Sequence, residues 1–372
     1  MKKVRFGVVG MGKQGSFYAK LLLDGKIEKG VLTAVCNQSA DKLKRFVGEH
    51  ERQNVATFTD YKTMFTSGVC DAVLVVTPHN SHAEIVVEGL KNGLHVLCDK
   101  PLGICAGEVK KMVQTAQENK KMLSVMFNQR TNCTYRKMRE IVQSGGIGSL
   151  QRVTWIITDW FRPQAYYQSS SWRATWAGEG GGVLINQCPH QIDLLAWIVG
   201  ETPAFVRSFC HYGKWHDIEV EDDVTAYFTY RNGATGVFIT STGETPGTNR
   251  FEISGTKGKL LCEGEKLFWY KNETDSQRLC KTTQDPFPEP PFEKIEVETD
   301  GQNRQHEGVM NNFANAILGK EKPFVVGEDA IGGIELMNAM QLSGWKKGEE
   351  VALPVDETEY LSHLDNCKKR GK

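Results

Sequence analysis

The chain has 372 residues, more than one ordinary domain contains, so we expect two domains. Its 45 basic and 45 acidic side chains give zero net charge, which argues against a nucleic-acid or membrane partner held by bulk charge. The hydrophobic share of 40% is typical of a soluble globular protein, and no stretch is long enough to span a bilayer. The 10 cysteines form no CxxC pair and no zinc-type cluster, so we expect no metal site and a reducing, cytoplasmic environment.

The first third of the sequence alternates apolar strand-like runs with helical runs. A helix of about ten to fifteen residues separates most strands from the next, a pattern typical of βαβ units. It predicts a Rossmann domain, with a doubly wound parallel sheet, over residues 1–128. The predicted strands are residues 4–9, 32–37, 71–78, 94–99 and 122–128.

The pattern changes after residue 128. A helix, a glycine turn and a strand come first, and strand-like runs separated by Asn-Gly and Lys-Gly turns follow, as in an antiparallel meander. The Pro- and acid-rich residues 281–300 look like a long surface loop, and helices are predicted at 303–319 and 328–343. We therefore expect a second α/β domain over residues 129–372.

The stretch 10-GMGKQG-15 matches the glycine pattern GxGxxG. It directly follows a strand and opens a helix within a βαβ unit, which is the context in which this pattern binds a dinucleotide. The glycines allow a tight turn and close approach of the backbone to a pyrophosphate at the helix N-terminus. The predicted cofactor contacts are Gly10, Met11, Gly12, Lys13, Gln14 and Gly15.

The end of the second strand bears on the choice between NAD and NADP. An Asp or Glu there would bind the ribose hydroxyls of NAD, but this chain has Asn37. An amide can still hydrogen-bond a hydroxyl, and it lacks the charge that would repel a 2′-phosphate. We favour NAD because no arginine follows the strand, and NADP stays open.

Two further strand ends carry polar motifs. The third predicted strand ends at Thr77-Pro78 and the fourth at Asp99-Lys100-Pro101. Ligands of doubly wound sheets bind at the carboxyl ends of the strands, so both motifs are expected near the nicotinamide. A Lys-Pro pair at a strand end is equally compatible with a simple turn.

The stretch 180-GGGVLINQCPHQIDLLAW-197 places polar residues in an apolar segment. On a helix, Asn186, His190 and Asp193 would lie within about 60° of one another. Pro189 is tolerated in a first turn, so the helix is expected to begin near Asn186. A core helix whose polar groups bond to backbone is the alternative, but three polar residues on one face after a glycine run favour a functional site.

Taken in order, the motifs GMGKQG, VTPHNSH, CDKPLG and SSSWRATWAGEGGGVLINQCPHQIDLLAWIVG resemble the glucose–fructose oxidoreductase/inositol dehydrogenase (Gfo/Idh/MocA) family. The resemblance extends to TNRFEISGTKGKL and NNFANAILGKEKP, and so spans nearly the whole chain. It implies an N-terminal Rossmann domain. It also implies a C-terminal α/β domain with a large, open, mainly antiparallel sheet, which binds substrate and pairs subunits into homodimers or homotetramers.

The resemblance also implies roles for individual residues. Lys100 matches a lysine that contacts substrate and assists proton transfer, and His190 matches the usual general base. Asn186 stands where the family has an aspartate. The other positions implied to contact cofactor are Thr77, Pro78, His82, Asp99, Lys100, Asn128, Trp172 and Arg173, and those implied to contact substrate are Lys100, Arg130, Asn186, His190 and Asp193.

The expected reaction is hydride transfer from a hydroxyl carbon of a sugar, glycoside or cyclitol to NAD or NADP. His190 would take the hydroxyl proton, and Lys100 would stabilise the developing alkoxide. Asn186, the third catalytic candidate, would orient His190 or a neighbouring hydroxyl without transferring a proton. Two alternatives stay open, the first of them suggested by the amide of Asn186. One is a glycosidase that cleaves glycosides by C3 oxidation, elimination, hydration and re-reduction, with NAD recycled. The other is a non-catalytic, nucleotide-sensing Rossmann protein.

Overall fold

The computed structural model describes residues 2–49 and 54–370. The chain forms two compact units, one made of residues up to 128 together with 304–334, the other of 129–303 together with 335–372. Residues 1, 50–53, 371 and 372, which fall within the predicted domain spans, lie outside the described residues. None of the helices in the described ranges combines the length and apolar character needed to cross a bilayer.

Six short apolar strands of the first unit pair in parallel. They are β1 (Val4–Val9), β2 (Gly30–Cys36), β3 (Ala56–Phe58), β4 (Ala72–Val75), β5 (His95–Cys98) and β6 (Leu123–Val125). Their order across the sheet, β3-β2-β1-β4-β5-β6, is that of a Rossmann fold and confirms the predicted doubly wound sheet. The central strands are nearly continuous apolar runs because helices cover both faces.

Within the described residues of this unit, five α-helices connect these strands. They are α1 (Lys13–Leu23), α2 (Ala40–Glu49), α3 (Tyr61–Thr66), α4 (His82–Lys91) and α5 (Ala106–Glu118). The sequence pattern predicts neither β3 nor α3. A three-residue edge strand and a six-residue helix are too short to show a clear hydrophobic period.

The second unit is built on a nine-stranded sheet with helices between its strands. Its helices before residue 304 are α6 (Cys133–Gln143), α7 (Gln164–Tyr167), α8 (Pro189–Val199) and α9 (Ser276–Thr282). Its strands are β7 (Leu150–Ile157), β8 (Phe205–Tyr212), β9 (Glu221–Thr229), β10 (Thr235–Ser241), β11 (Asn249–Gly255), β12 (Gly258–Glu263), β13 (Lys266–Asn272), β14 (Phe292–Glu296) and β15 (Val351–Ala352).

The strand order of this sheet is β14-β13-β12-β11-β7-β10-β9-β8-β15. All neighbours pair antiparallel except β7 with β10, which pair in parallel. The predicted large, mainly antiparallel sheet is therefore confirmed. The predicted surface loop at 281–300 is wrong in part, because β14 lies within it and pairs with the sheet edge.

The chain returns to the first unit near its C-terminal end. The helices predicted at 303–319 and 328–343 are present as α10 (Gln305–Ile317) and α11 (Asp329–Trp345), and α12 (Glu357–Arg370) follows. The assignment of residues 304–334 to the second domain is wrong. The apolar face of α10 is part of the first unit's core, where the Phe313 ring lies 6.2 Å from that of Phe6.

Candidate active site

The glycine turn of the first unit has the shape that a pyrophosphate requires. Gly10 has φ +98°, and a Cβ there would collide with the backbone of Val76. A Cβ on Gly15 would collide with the Gly10 oxygen, so α1 packs directly against the turn. At Gly12, the N-cap of α1, a Cβ would meet no atom within 4 Å. The turn thus leaves open space at a helix N-terminus, which favours a bound anion and fits NAD.

Asn37 braces this turn. Its Oδ1 accepts a hydrogen bond from the Met11 N–H at 3.1 Å, and its Nδ2 donates to the Ser39 backbone oxygen at 3.4 Å. The amide at the end of β2 therefore fixes the conformation of the glycine turn. Its predicted contact with the ribose of NAD stays a prediction.

A buried histidine joins two strand-end loops of the first unit. His82 is only 1% exposed, and its Nδ1 and Nε2 each lie 2.8 Å from a backbone oxygen, those of Pro101 and Thr77. Burial lowers the pKa of His82, an effect that both carbonyl oxygens oppose. The geometry favours a supporting role for His82 that sets the positions of Thr77 and Lys100, rather than the direct cofactor contact that the resemblance implies.

Asp99 and Lys100 follow β5 at the carboxyl end of the sheet. Asp99 accepts a hydrogen bond from the Tyr18 hydroxyl at 3.1 Å. Burial, then the Asp99 charge, raises the pKa of Tyr18 well above its usual range, so this phenol stays protonated. The Tyr18 ring lies 5.6 Å from that of His306 on α10. Burial lowers the pKa of His306; the charge of Asp99 opposes this effect and that of Lys100 adds to it.

Asn128 lies just after β6 in the first unit. It is 3% exposed, and its Nδ2 donates a hydrogen bond to Oε1 of Gln305 at the start of α10. This contact ties the segment after β6 to the returning helix. The cofactor contact that the resemblance implies for Asn128 stays a prediction.

In the second unit, the glycine run 180–182 lies over a buried carboxylate. A Cβ on Gly182 would collide with the backbone oxygen of Glu221, so only glycine fits. Oε1 of Glu221 accepts hydrogen bonds from the N–H groups of Gly182 and Leu184 at 2.8 and 3.3 Å. Burial raises the pKa of Glu221 to about 7, although these hydrogen bonds lower it. The run is therefore closely packed, not flexible.

The prediction that a helix begins near Asn186 is wrong. The helix α8 begins at Pro189, with Cys188 as N-cap, because proline fits the first helical position. Asn186 lies in the turn before α8, where its N–H donates to the Gly182 oxygen at 2.9 Å. Asn186 therefore does not share a helical face with His190 and Asp193.

Asn186 contacts a buried carboxylate that the sequence pattern did not single out. Its Nδ2 donates a hydrogen bond to Oε1 of Glu179, which is 1% exposed. Its Oδ1 accepts from the Tyr166 hydroxyl at 3.4 Å. That hydroxyl accepts from Nη1 of Arg173 at 2.8 Å, and the same Nη1 lies 3.7 Å from Oε1 of Glu179. These four side chains, which we call the Glu179 cluster, form a closed ring of polar contacts.

Arg173 is held between aromatic rings in this cluster. Its guanidinium carbon lies 4.6 Å from the Tyr166 ring centroid and 4.8 Å from that of Trp172. Arg173 therefore belongs to the Glu179 cluster, and Trp172 packs against its guanidinium. The cofactor contacts that the resemblance implies for both residues stay predictions.

Asp193 and Arg130 bind each other. Their side chains are 2% and 3% exposed and form two hydrogen bonds of 2.6 and 2.8 Å. The Arg130 guanidinium also lies 5.2 Å from the Trp197 ring centroid. This buried bidentate pair favours a structural role for both residues over the substrate contacts implied by the resemblance.

Three site residues are absent from the sequence-based predictions: Tyr18, Glu179 and Glu221. Glu179 directly precedes the glycine run, and an acid beside three glycines in an apolar segment is the signal that could have singled it out. Glu221 is far from the run in sequence, so only the folded chain brings the two together.

Two family models match the chain. Residues 4–127 match the model of the oxidoreductase family with an NAD-binding Rossmann fold, and residues 135–261 match the GFO/IDH/MocA C-terminal domain. The chain belongs to the Gfo/Idh/MocA family. The resemblance predicted from the motifs is thus confirmed, as are its character as an enzyme, an oxidoreductase, and NAD as its cofactor.

Relatives of this oxidoreductase act on cyclitols and sugars. The myo-inositol 2-dehydrogenase of Thermotoga maritima is 26% identical over 268 residues, 70% of this chain and 75% of its own length. The rhizopine catabolism protein MocA of Rhizobium meliloti is 28% identical over 207 residues, 56% of this chain and 61% of its own length.

A solved structure covers almost the whole fold. The WlbA dehydrogenase of Chromobacterium violaceum, crystallised with NADH and UDP-GlcNAcA, superimposes with a TM-score of 0.82 at 26% sequence identity. The match covers 96% of this chain and 97% of that protein.

Proposed function

We propose that this enzyme oxidises a hydroxyl carbon of a sugar, glycoside or cyclitol, with Lys100 and His190 as its catalytic residues. The observation that carries the proposal is accessibility. Among the charged or titratable residues that the resemblance implies, Arg130, Asp193 and His82 are buried in contacts with the protein itself. Lys100 and His190 are only partly buried, at the carboxyl end of β5 and in the first turn of α8. Asp99 and Arg173 are partly buried too, but they contact Tyr18 and Tyr166.

In this reaction NAD supplies the hydride acceptor. His190 takes the proton of the substrate hydroxyl, because an imidazole titrates near working pH. The Lys100 ammonium donates a hydrogen bond to the oxygen as negative charge develops on it. The glycine turn, Asn37 and the Thr77-Pro78 loop hold NAD, and Asn186 binds a neighbouring hydroxyl without moving a proton. A homodimer or homotetramer, paired through the nine-stranded sheet, belongs to the same proposal.

The substrate class rests on the relatives. The match to a cyclitol dehydrogenase covers most of that enzyme's length, and the WlbA dehydrogenase was crystallised with a sugar nucleotide. The cyclitol and the sugar nucleotide both carry several hydroxyls. A polyhydroxylated ring is therefore the substrate class that the proposal tests first.

The test is a panel of sugars, cyclitols and aryl glycosides, each with NAD and with NADP, with reduced nicotinamide and product identity followed together. We expect stoichiometric NADH and a keto product. Lys100→Met and His190→Asn should each lower kcat/KM by about 10²–10⁴-fold while NAD binding is retained. The matched controls Lys91→Met and His211→Asn change exposed side chains of the same types and should leave kcat/KM unchanged.

Two outcomes would replace the proposal. Glycoside cleavage with substoichiometric NAD and no net NADH would identify the redox-recycling glycosidase. Intact NAD binding without turnover on any panel member would identify a nucleotide-sensing protein.

A further inference from the structure

Asn186 stands where the resemblance implies an aspartate, and the Glu179 cluster determines how its amide is oriented. Glu179 is 1% exposed and faces hydrogen-bond donors at both oxygens. Oε2 accepts the Ala174 N–H at 2.7 Å, and Oε1 accepts the Asn186 Nδ2–H. An ionised carboxylate accepts hydrogen bonds at both oxygens. The ionised form therefore matches its surroundings, with Arg173 as the nearby positive charge.

The carboxylate fixes which way the Asn186 amide points. Glu179 can only accept, so Nδ2 must face it and Oδ1 must face the opposite side. On that side Oδ1 accepts a hydrogen bond from the Tyr166 hydroxyl at 3.4 Å, and an amide oxygen has two lone pairs with which to accept. Asn186 is only partly buried and stands four residues before His190.

We propose that Glu179 is a positioning residue, which holds Asn186 so that its carbonyl oxygen accepts a hydrogen bond from a second substrate hydroxyl, next to the one that His190 deprotonates. The carboxylate here is that of Glu179, one side chain further from the substrate than the family's aspartate. The Asn186 amide presents a neutral carbonyl oxygen where the family has a charged group. The substrate class that follows is a polyol with a hydroxyl neighbouring the oxidised carbon, rather than an isolated alcohol. This inference rests on the proposed function.

The chain allows a test by exchange of the two groups. In Glu179→Gln, the new amide keeps its oxygen toward the Ala174 N–H and turns its NH₂ toward Asn186. Asn186 must then flip and present NH₂ in place of the carbonyl. In the double variant Glu179→Gln/Asn186→Asp, the new amide at position 179 instead donates to the new carboxylate at position 186. Every hydrogen bond then has a donor and an acceptor, and the net charge is that of the wild type.

The experiment measures kcat and KM of all three proteins for a panel substrate and for its deoxy analogues at carbons next to the oxidised one. In the wild type, we expect loss of one neighbouring hydroxyl to lower kcat/KM by about 10-fold or more, the value of one hydrogen bond. In Glu179→Gln, KM should rise about 10-fold for the parent substrate, and the penalty for the deoxy analogue should shrink. The double variant should recover both to within a few-fold.

A second readout does not depend on turnover. The Asn186 side-chain NH₂ signal in a ¹⁵N–¹H spectrum, assigned by its loss in Asn186→Asp, should be shifted downfield by its bond to a carboxylate and should move in Glu179→Gln. Glu252→Gln serves as control, because it removes a carboxylate of the sheet that is 12% exposed and pairs with Arg152.

The outcomes separate the two proposals. If the wild-type enzyme is inactive on the whole panel, both the proposed function and this inference are wrong. An active wild type whose Glu179→Gln variant keeps its KM and its deoxy penalty, or a folded double variant that recovers neither, removes the inference alone. If Glu179→Gln does not fold, the double variant decides between these outcomes.

Discussion

The glycine turn at residues 10–15 leaves space beside its backbone, whereas the glycine run at residues 180–182 is filled by the chain itself. A Cβ on Gly12 would meet nothing, while a Cβ on Gly182 would collide with the backbone of Glu221. The first turn is supported by an apolar core and by the amide of Asn37. The second directly follows the buried Glu179 and packs against the buried Glu221, in the unit that also contains the buried Arg130–Asp193 pair. Gly12 thus leaves room for a ligand, whereas Gly182, like Gly10 and Gly15, allows close packing within the protein.

Because the second unit contains buried charged side chains, we predict that removing one of them has the largest effect on its stability. The strongest test is Asp193→Asn. It leaves the Arg130 charge buried without its counterion, so we expect the free energy of unfolding to fall by about 3–5 kcal/mol. Urea unfolding followed by tryptophan fluorescence measures this directly, because all 8 tryptophans lie in the second unit. Lys137→Met, which breaks an exposed pair with Glu140, is the control and should cost less than about 1 kcal/mol. Equal effects of the two variants would contradict the contrast.

The next largest effect concerns pH. The pKa of Glu221 is about 7 in the folded protein, above the ordinary value of 4.5, so the folded state binds this proton more tightly. The stabilisation from Glu221 is then fully present below pH 4.5 and is lost as pH rises through 7. Glu221→Gln stays neutral at every pH. We expect the difference in unfolding free energy, wild type minus variant, to fall by about 2–3 kcal/mol between about pH 4.5 and 8. A difference that is flat with pH would mean that Glu221 titrates normally.

The smallest expected effect compares the two glycines directly. Gly182→Ala should destabilise the second unit by about 1–3 kcal/mol, because the added methyl group forces the backbone of Glu221 to move. Gly12→Ala should change stability by less than about 1 kcal/mol, since its φ of −81° suits alanine, but it should weaken NAD binding. Thermal unfolding and NAD titration of both variants measure the two effects. Reversed results would mean that the open space at Gly12 is not the pyrophosphate site.

Local patterns predicted the parts of the fold that are local in origin. Apart from β3, the Rossmann strands and the glycine turn follow from short apolar runs and their spacing, and each predicted strand overlaps an observed one. The start of α8 was misplaced by three residues because helical periodicity does not show which side of Pro189 is helical. Long-range contacts were not predictable, since nothing in the sequence near Gly182 indicates that its N–H donates to Glu221, 39 residues later.

The same limit explains why Asp193 was predicted to contact substrate. Its place on the same helical face as His190 suggested a shared site, but the partner that uses it, Arg130, lies 63 residues earlier in the chain. A polar stripe in a sequence indicates that partners exist without indicating whether they are substrate or protein. The motifs single out Lys100 and His190 because their types and spacing match a family, and both are only partly buried in the structure, unlike Arg130 and Asp193.

The return of α10 to the first unit has a consequence for synthesis of the chain. During translation, N-terminal domains generally fold first, as they leave the ribosome. Here the core around Phe6 lacks Val309, Met310 and Phe313 until the ribosome has passed residue 317, after β7 to β14 have been made. The Rossmann unit starts first and is completed late, so its apolar surface is exposed for most of the time that the nascent chain is growing. A chaperone that binds nascent chains would meet it during this interval.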